Sequence, residues 1–281
     1  MITSKPGKRG YRAVTALNVL LCLFISLIWL LPFGWILSTS MRLPSEAYTV
    51  PPAFFPERLD LANYAKVFHT IPIMTFMGNS FFMSFTATAL MLLITAMAAY
   101  GTARIRFKGS GFVTLLLISG MMIPISSILV PLFYTMKELG LANSRWAVIL
   151  LGIYYPIGFL MMRNFIQTIP RSYDEAAYMD GAGHIRIFTR IVLPMSASSL
   201  IVCGLMCFVG NWNNFLVPLI FLSNMKDYTI TLGLQFLKNS FTSDTTLILA
   251  GVVIALLPPI LLYCFCSKYL MQGIMTTGLK S

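Results

Sequence analysis

Six apolar runs divide the chain, at about 14–38, 73–100, 112–136, 146–166, 196–222 and 246–270. Each reaches the roughly 20 residues that a helix needs to cross a bilayer. None carries Asp, Glu, Lys, Arg or His in its interior. The pattern predicts an all-α integral membrane protein with six transmembrane helices. Lys5, Lys8, Arg9 and Arg12 precede the first run, as in a signal peptide. This run of 25 residues is too long for a signal core, and no A-x-A cleavage site follows, so it reads as an uncleaved first span.

Composition supports this class. Apolar residues make up 57% of the chain and charged residues 10%, with a mean hydropathy of +0.79. A soluble globule needs about 25% charged residues. The formal charge of +11 would point to nucleic acid in a soluble protein; here it resides in loops, and no nucleic-acid partner is expected. With the N-terminus inside, 13 of the 20 Lys and Arg fall on the cytoplasmic side and 7 outside. That bias places both termini in the cytoplasm: residues 1–13 as an N-terminal segment, 14–270 as the transmembrane domain and 271–281 as a tail.

Little catalytic chemistry is available. Cys22, Cys203, Cys207, Cys264 and Cys266 all lie in apolar runs, which reads as buried thiols acting as small hydrophobes. His69 and His184 are the only histidines, and no phosphate loop, H-E-x-x-H or G-x-S-x-G is found. The chain reads as non-catalytic, with no cofactor of its own. Uncharged spans also argue against a proton relay or an ion-coupled carrier.

The polar segment 167–195 stands out. Ser172 with Glu175 three residues on predicts a capping box and a short helix, ended by Gly181 and Gly183. A second helix through Arg186 and Arg190 leads to Pro194. Ala176, Ala177 and Gly181 form a small-residue face suited to a groove in another protein, with Asp174 and Glu175 placed to meet a basic partner. Ile185, Phe188 and Val192 are expected to pack inward. On these features alone an amphipathic connector lying on the membrane surface is the better fit.

The spacing is more specific. Glu175-Ala176-Ala177, three residues, Gly181, nine residues, then Ile191-x-Leu193-Pro194 resembles the E-A-A-x3-G-x9-I-x-L-P signature without departure. Seven fixed positions match by chance on the order of once in a million such chains. The signature belongs to inner-membrane permease subunits of binding-protein-dependent, ATP-driven (ABC) importers. Other runs resemble the smaller six-span permease of the maltose and multiple-sugar branch: Pro32-Phe33-Gly34-Trp35 with Ser38…Arg42, Asn63-Tyr64, Ala98-Ala99-Tyr100, and Asn211-Trp212-Asn213-Asn214-Phe215 with Pro218-Leu219. Asn214 stands where relatives are often acidic, and Leu279 replaces a usual small residue.

The resemblance implies a type I ABC importer permease fold in the cell's inner membrane. It implies a second homologous permease, two ATPase subunits that bind ATP and Mg, and an extracytoplasmic solute-binding protein delivering a sugar. The loop would couple to the ATPase through Asp174, Glu175, Ala176, Ala177, Asp180, Gly181, Ile191, Leu193 and Pro194. The outer segments 39–72, with Pro51 and Pro52, and 223–245, with Thr229–Phe236, would receive the binding protein.

Candidate path residues are Asn79, Ser127, Asn211, Asn214 and Phe215, with Ser80 and Ser126 of the same type. Amide beside aromatic suits a hydroxylated, ring-shaped solute; amides that clamp neighbouring helices are the equal alternative. Pro124, Pro131, Pro156, Pro218, Pro258 and Pro259 favour kinks in the spans. An ATP-independent channel or facilitator is the other functional reading, and it leaves the loop at 167–195 without a purpose.

Overall fold

The computed structural model describes residues 8–46, 54–238 and 244–278. Lys5, Pro51, Pro52, Leu279 and Lys280 lie outside them. All regular structure among the described residues is helical. Among the described residues, four helices are long and apolar enough to cross a membrane, and up to six spans result when each of two bent helix pairs counts as one. The described residues form two compact units, Met1–Ile71 with Leu237–Ile254 and Pro72–Phe236 with Ala255–Ser281.

In the first unit, α1 (Lys8–Ser40) buries none of its most apolar window inside the chain, an exposure suited to lipid or another subunit. The outer segment is not a bare loop, because α2 (Ala62–Thr70) forms within it. Asn63, fully buried, donates through Nδ2 to Ser40 O at 3.1 Å and Arg42 O at 2.8 Å. Ser40 and Tyr64 share a hydroxyl hydrogen bond of 2.7 Å. The Arg42 guanidinium lies 5.0 Å from the Trp35 ring centre. These contacts give a structural reason for the Asn63-Tyr64 pair and for the Trp35…Arg42 ending of the first span.

The second unit is built around α3 (Ile73–Arg104), 32 residues without a proline. Against it pack α6 (Arg145–Ile153), α7 (Pro156–Thr168) and α10 (Ala197–Trp212). One apolar cluster gathers Ala99, Tyr100, Phe159, Met162, Ile166, Ile187 and Cys203. Another gathers Met83, Ala87, Leu129, Ala147, Ile149 and Phe221.

The third expected run is broken. Between α4 (Ser110–Ser119) with its 3₁₀ turn to Met122 and α5 (Ile125–Glu138), the chain bends by 105°. Proline disfavours helical backbone in the residue before it, and Ile123 is extended at φ −100°, ψ 114°. Pro131 stays inside α5.

The fifth run also differs. A helix α9 (His184–Met195) meets α10 at 75°, and α10 stops at Trp212 before α11 (Leu216–Phe221). Pro218 cannot donate to the Asn214 carbonyl and would crowd it. The chain therefore leaves the helix at Asn213–Phe215, where Asn214 Oδ1 accepts from Val217 N at 3.2 Å. The last helix, α12 (Thr245–Gly278), runs through Pro258 and Pro259 unbroken.

Within α9, residues Phe188–Val192 form a π turn. Ile187 and Val192, five apart, are both fully buried; an α-helix would set them roughly 140° apart, and i→i+5 spacing aligns them. Pro194 sits just beyond, where its ring would crowd the Arg190 carbonyl of a regular helix. The cysteines divide: Cys203 and Cys207 are buried, whereas Cys22 and Cys264 are exposed on apolar helices, which corrects the expectation that all five are buried.

Candidate functional site

The segment 167–195 folds as a helix, a tight turn and a second helix. Pro170 ends α7 by holding Ile169 extended, at φ −70° and ψ 126°. The helix α8 (Ser172–Met179) then begins without a capping box: Ser172 is its first helical residue, and no side chain caps it. The backbone already satisfies that turn, because Tyr173 N donates to Pro170 O while Asp174 N and Glu175 N donate to Arg171 O. At the far end Ala182 N reaches Ala177 O and Gly181 N reaches Tyr178 O, the paired bonds of a Schellman turn. Gly181 sits at φ +76°, a left-handed backbone that suits glycine.

Two faces of α8 are distinct. Glu175, Ala176, Met179 and Asp180 are exposed, Met179 at 89%. Asp174, Ala177 and Ala182 are buried. The small-residue face is therefore divided: Ala177 packs into the chain's own core, and only Ala176 is offered outward with Gly181. Asp174 likewise does not face a partner protein. Its Oδ2 lies 3.4 Å from Arg104 Nε, with the two side chains 12% and 4% exposed. On α9, Ile185 is 81% exposed and Ile187 takes the inward place; Phe188 is half-buried and Val192 buried, as expected. Arg186 and Arg190 face outward, and Ile191 and Leu193 are half-buried beside exposed Pro194.

Sequence reasoning did not single out Arg104, Tyr100, Tyr178 or His184 for this site. Arg104 ends α3 and donates through Nη2 to Ile169 O at 2.6 Å while pairing with Asp174. Tyr100, one turn earlier on the same face, lies 3.5 Å from His184 Nδ1, which Tyr178 reaches at 2.7 Å. The last turn of α3 thus holds the loop near its start and just beyond its turn. A tyrosine four residues before an arginine at a helix end was the available signal.

The path candidates are dispersed. Asn79 is buried, and its Nδ2 donates to Lys226 O at 2.8 Å and Tyr228 O at 3.0 Å. Buried Ser80 accepts from Ile230 N at 2.8 Å. Asn211 Nδ2 lies 3.3 Å from Gly152 O and from Cys207 Sγ, and a Cβ on Gly152 would come within 2.4 Å of Asn211 Oδ1. Asn211 thus clamps a neighbouring helix, whereas Asn79 holds the outer turn at 226–228, which removes it as an open path amide. Asn214 caps α11 and Phe215 lies half-buried beside it, at the break after α10; Ser126 and Ser127 are exposed just after the Pro124 break.

An all-helical fold with up to six candidate spans and an exposed, side-chain-anchored loop between two of them is that of a multi-span membrane protein. The chain belongs to the family described as binding-protein-dependent transport system inner membrane component, whose model matches residues 93–274. It is 32% identical over 281 residues to a sulfoquinovosyl glycerol transport system permease protein of Agrobacterium fabrum, covering 99% of each chain. It is also 32% identical over 260 residues to an arabinooligosaccharides transport system permease protein of Halalkalibacterium halodurans, covering 92% of this chain and 93% of that one. A chain from the crystal structure of a bacterial ABC transporter involved in alginate import shares the fold, with a TM-score of 0.78 at 22% identity over 95% of this chain and 99% of that one.

Proposed function

We propose that this chain is one half of the translocation pathway of an ATP-driven sugar importer. In this reading 14–270 is the transmembrane domain, and 1–13 and 271–281 lie with the loop 167–195 in the cytoplasm. A second, homologous permease supplies the other half. Two ATPase subunits bind ATP and Mg and carry out hydrolysis, and an extracytoplasmic binding protein delivers the sugar to the outer segments. The saccharide-related names of the relatives support that solute class.

The observation that carries the proposal is the two-faced α8. Its outward side presents Glu175, Ala176, Met179 and Asp180, while its inward side is fastened to the chain's own core. Glu175 docks against a basic residue of the ATPase, Gly181 holds the turn, and Ile191, Leu193 and Pro194 join the loop to α10. Nucleotide-driven closure of the ATPase pair moves α8, and the spans respond by opening outward. Solute passes near the broken segments, with Asn211, Asn214 and Phe215 at the break after α10 and Ser127 at the Pro124 break.

Affinity purification of the tagged chain from its native membrane, in mild detergent, tests this. Recovery of a second permease and an ATPase pair is expected, with the ATPase lost on Glu175→Lys or Gly181→Trp. Recovery of this chain alone would favour an ATP-independent facilitator.

A further inference from the structure

The polar anchors of α3 fall at its two ends and nowhere between in comparable form. Near one end Asn79 holds the carbonyls of Lys226 and Tyr228, and Ser80 receives the amide of Ile230. At the other, Arg104 holds the Ile169 carbonyl and Asp174. Asn79 and Arg104 are 25 residues apart on one proline-free helix, which spans about 38 Å at the α-helical rise. That is more than the hydrocarbon thickness of a bilayer, so the two anchored loops lie on opposite faces of the membrane.

The anchored partners are backbone groups and one buried carboxylate. Asn79 presents two N–H donors to two carbonyls, which fixes the segment 226–228 in orientation as well as position. Arg104 fixes both the residue before α8 and a residue in its first turn, and Asp174 Oδ1 has no hydrogen-bond partner among the described residues. A displacement of α8 therefore breaks buried polar contacts unless α3 follows, and the same holds for 226–230. Breaking such contacts is costly, whereas a rigid shift of the helix leaves them whole.

We propose that α3 is a push rod that carries movement of the loop 169–184 to the outer segment 224–230, with Arg104 and Asn79 as the positioning residues at its two ends. This rests on the importer reading above, because it requires an ATPase that moves α8. The rod predicts that nucleotide at the ATPase changes the surroundings of the outer segment, and that uncoupling either end stops the change.

Met225, 41% exposed beside this anchored stretch, offers a probe position. The complex is purified on a tag carried by full-length Met225→Cys chain and placed in lipid nanodiscs. Modification of that cysteine by a membrane-impermeant maleimide is then timed with and without ATP, Mg and vanadate. The native background is expected to show a rate change of about fivefold or more, and Asn79→Leu or Arg104→Gln to reduce it to less than about twofold. The double variant should do no more than either single one, since one rod cut twice is still cut once.

A full response in either single variant, or multiplying effects in the double, would overturn the rod. If Arg104→Gln fails to recover the ATPase subunits, Arg104→Lys, which keeps the charge but not the fork, takes its place under the same criteria. A native chain that recovers no ATPase sinks the importer reading and the rod together. Recovered, active ATPase with an unresponsive cysteine sinks the rod alone.

Discussion

The loop that carries α8 and the segment 222–236 are both short, polar stretches between apolar helices, yet they are held in different ways. The first is shaped largely by its own residues: Pro170 ends α7, Gly181 closes the turn, and Tyr178 reaches His184 six residues on. Only Arg104 and Tyr100 reach it from afar among its polar contacts described above. The second is held by distant helices, through Asn79 and Ser80 from about 150 residues upstream, and by Arg145 pairing with Asp227. A locally folded loop can present a defined face to a partner while hanging on few tethers. A loop built from distant contacts moves only as its supports move.

Three substitutions probe this contrast. The largest effect is expected at Arg104→Leu, which leaves the buried Asp174 carboxylate unpaired and costs about 3–5 kcal/mol. A thermal unfolding scan of the purified chain should show it, and Asp174→Asn added to Arg104→Leu should restore much of the loss. No restoration would mean that α8 does not depend on this pair.

Next is Gly233→Val in the outer segment, where a Cβ would stand 2.1 Å from the Phe76 ring. Phe76 is fully buried, so overpacking should cost about 1–3 kcal/mol, read as a lower unfolding temperature and faster proteolysis between 222 and 236. An unchanged chain would show that segment to be far looser than its contacts indicate.

The smallest is Gly181→Ala. Nothing lies within 4 Å of a Cβ there, so the left-handed backbone alone is penalised, at about 1 kcal/mol. Gly181→Asn should recover part of it, because asparagine tolerates that conformation better. Equal losses for Ala and Asn would place the cost elsewhere than in the backbone.

This contrast also separates what the sequence made legible from what it did not. The spans follow from run length, and the turn at Gly181 from residues a few positions apart. Ser172 and Glu175 suggested a cap that the preceding Pro170 and Arg171 carbonyls make unnecessary. Asn79 resembled a path residue because an amide in an apolar helix must find a partner, and its partners lie 147 and 149 positions away. Arg104 resembled an ordinary loop charge for the same reason. The breaks were half legible: Pro124 interrupts its span and Pro131, seven residues on, does not, so proline marks a place where a bend is favoured without deciding that it occurs.

The π turn at Phe188–Val192 makes the distance from Gly181 to Ile191 a matter of phase. One residue more than an α-helix would hold is accommodated there, and each α-helical residue turns the chain by about 100°. Removing one residue between 188 and 192 would turn the π turn into α-helix and bring Ile187 and Val192 to i→i+4 spacing, about 40° apart, so the buried face would be kept in a helix one residue shorter. The last residues of the nine-residue gap therefore run through a slack turn, where one extra residue is taken up while Ile187 and Val192 keep a single inward face.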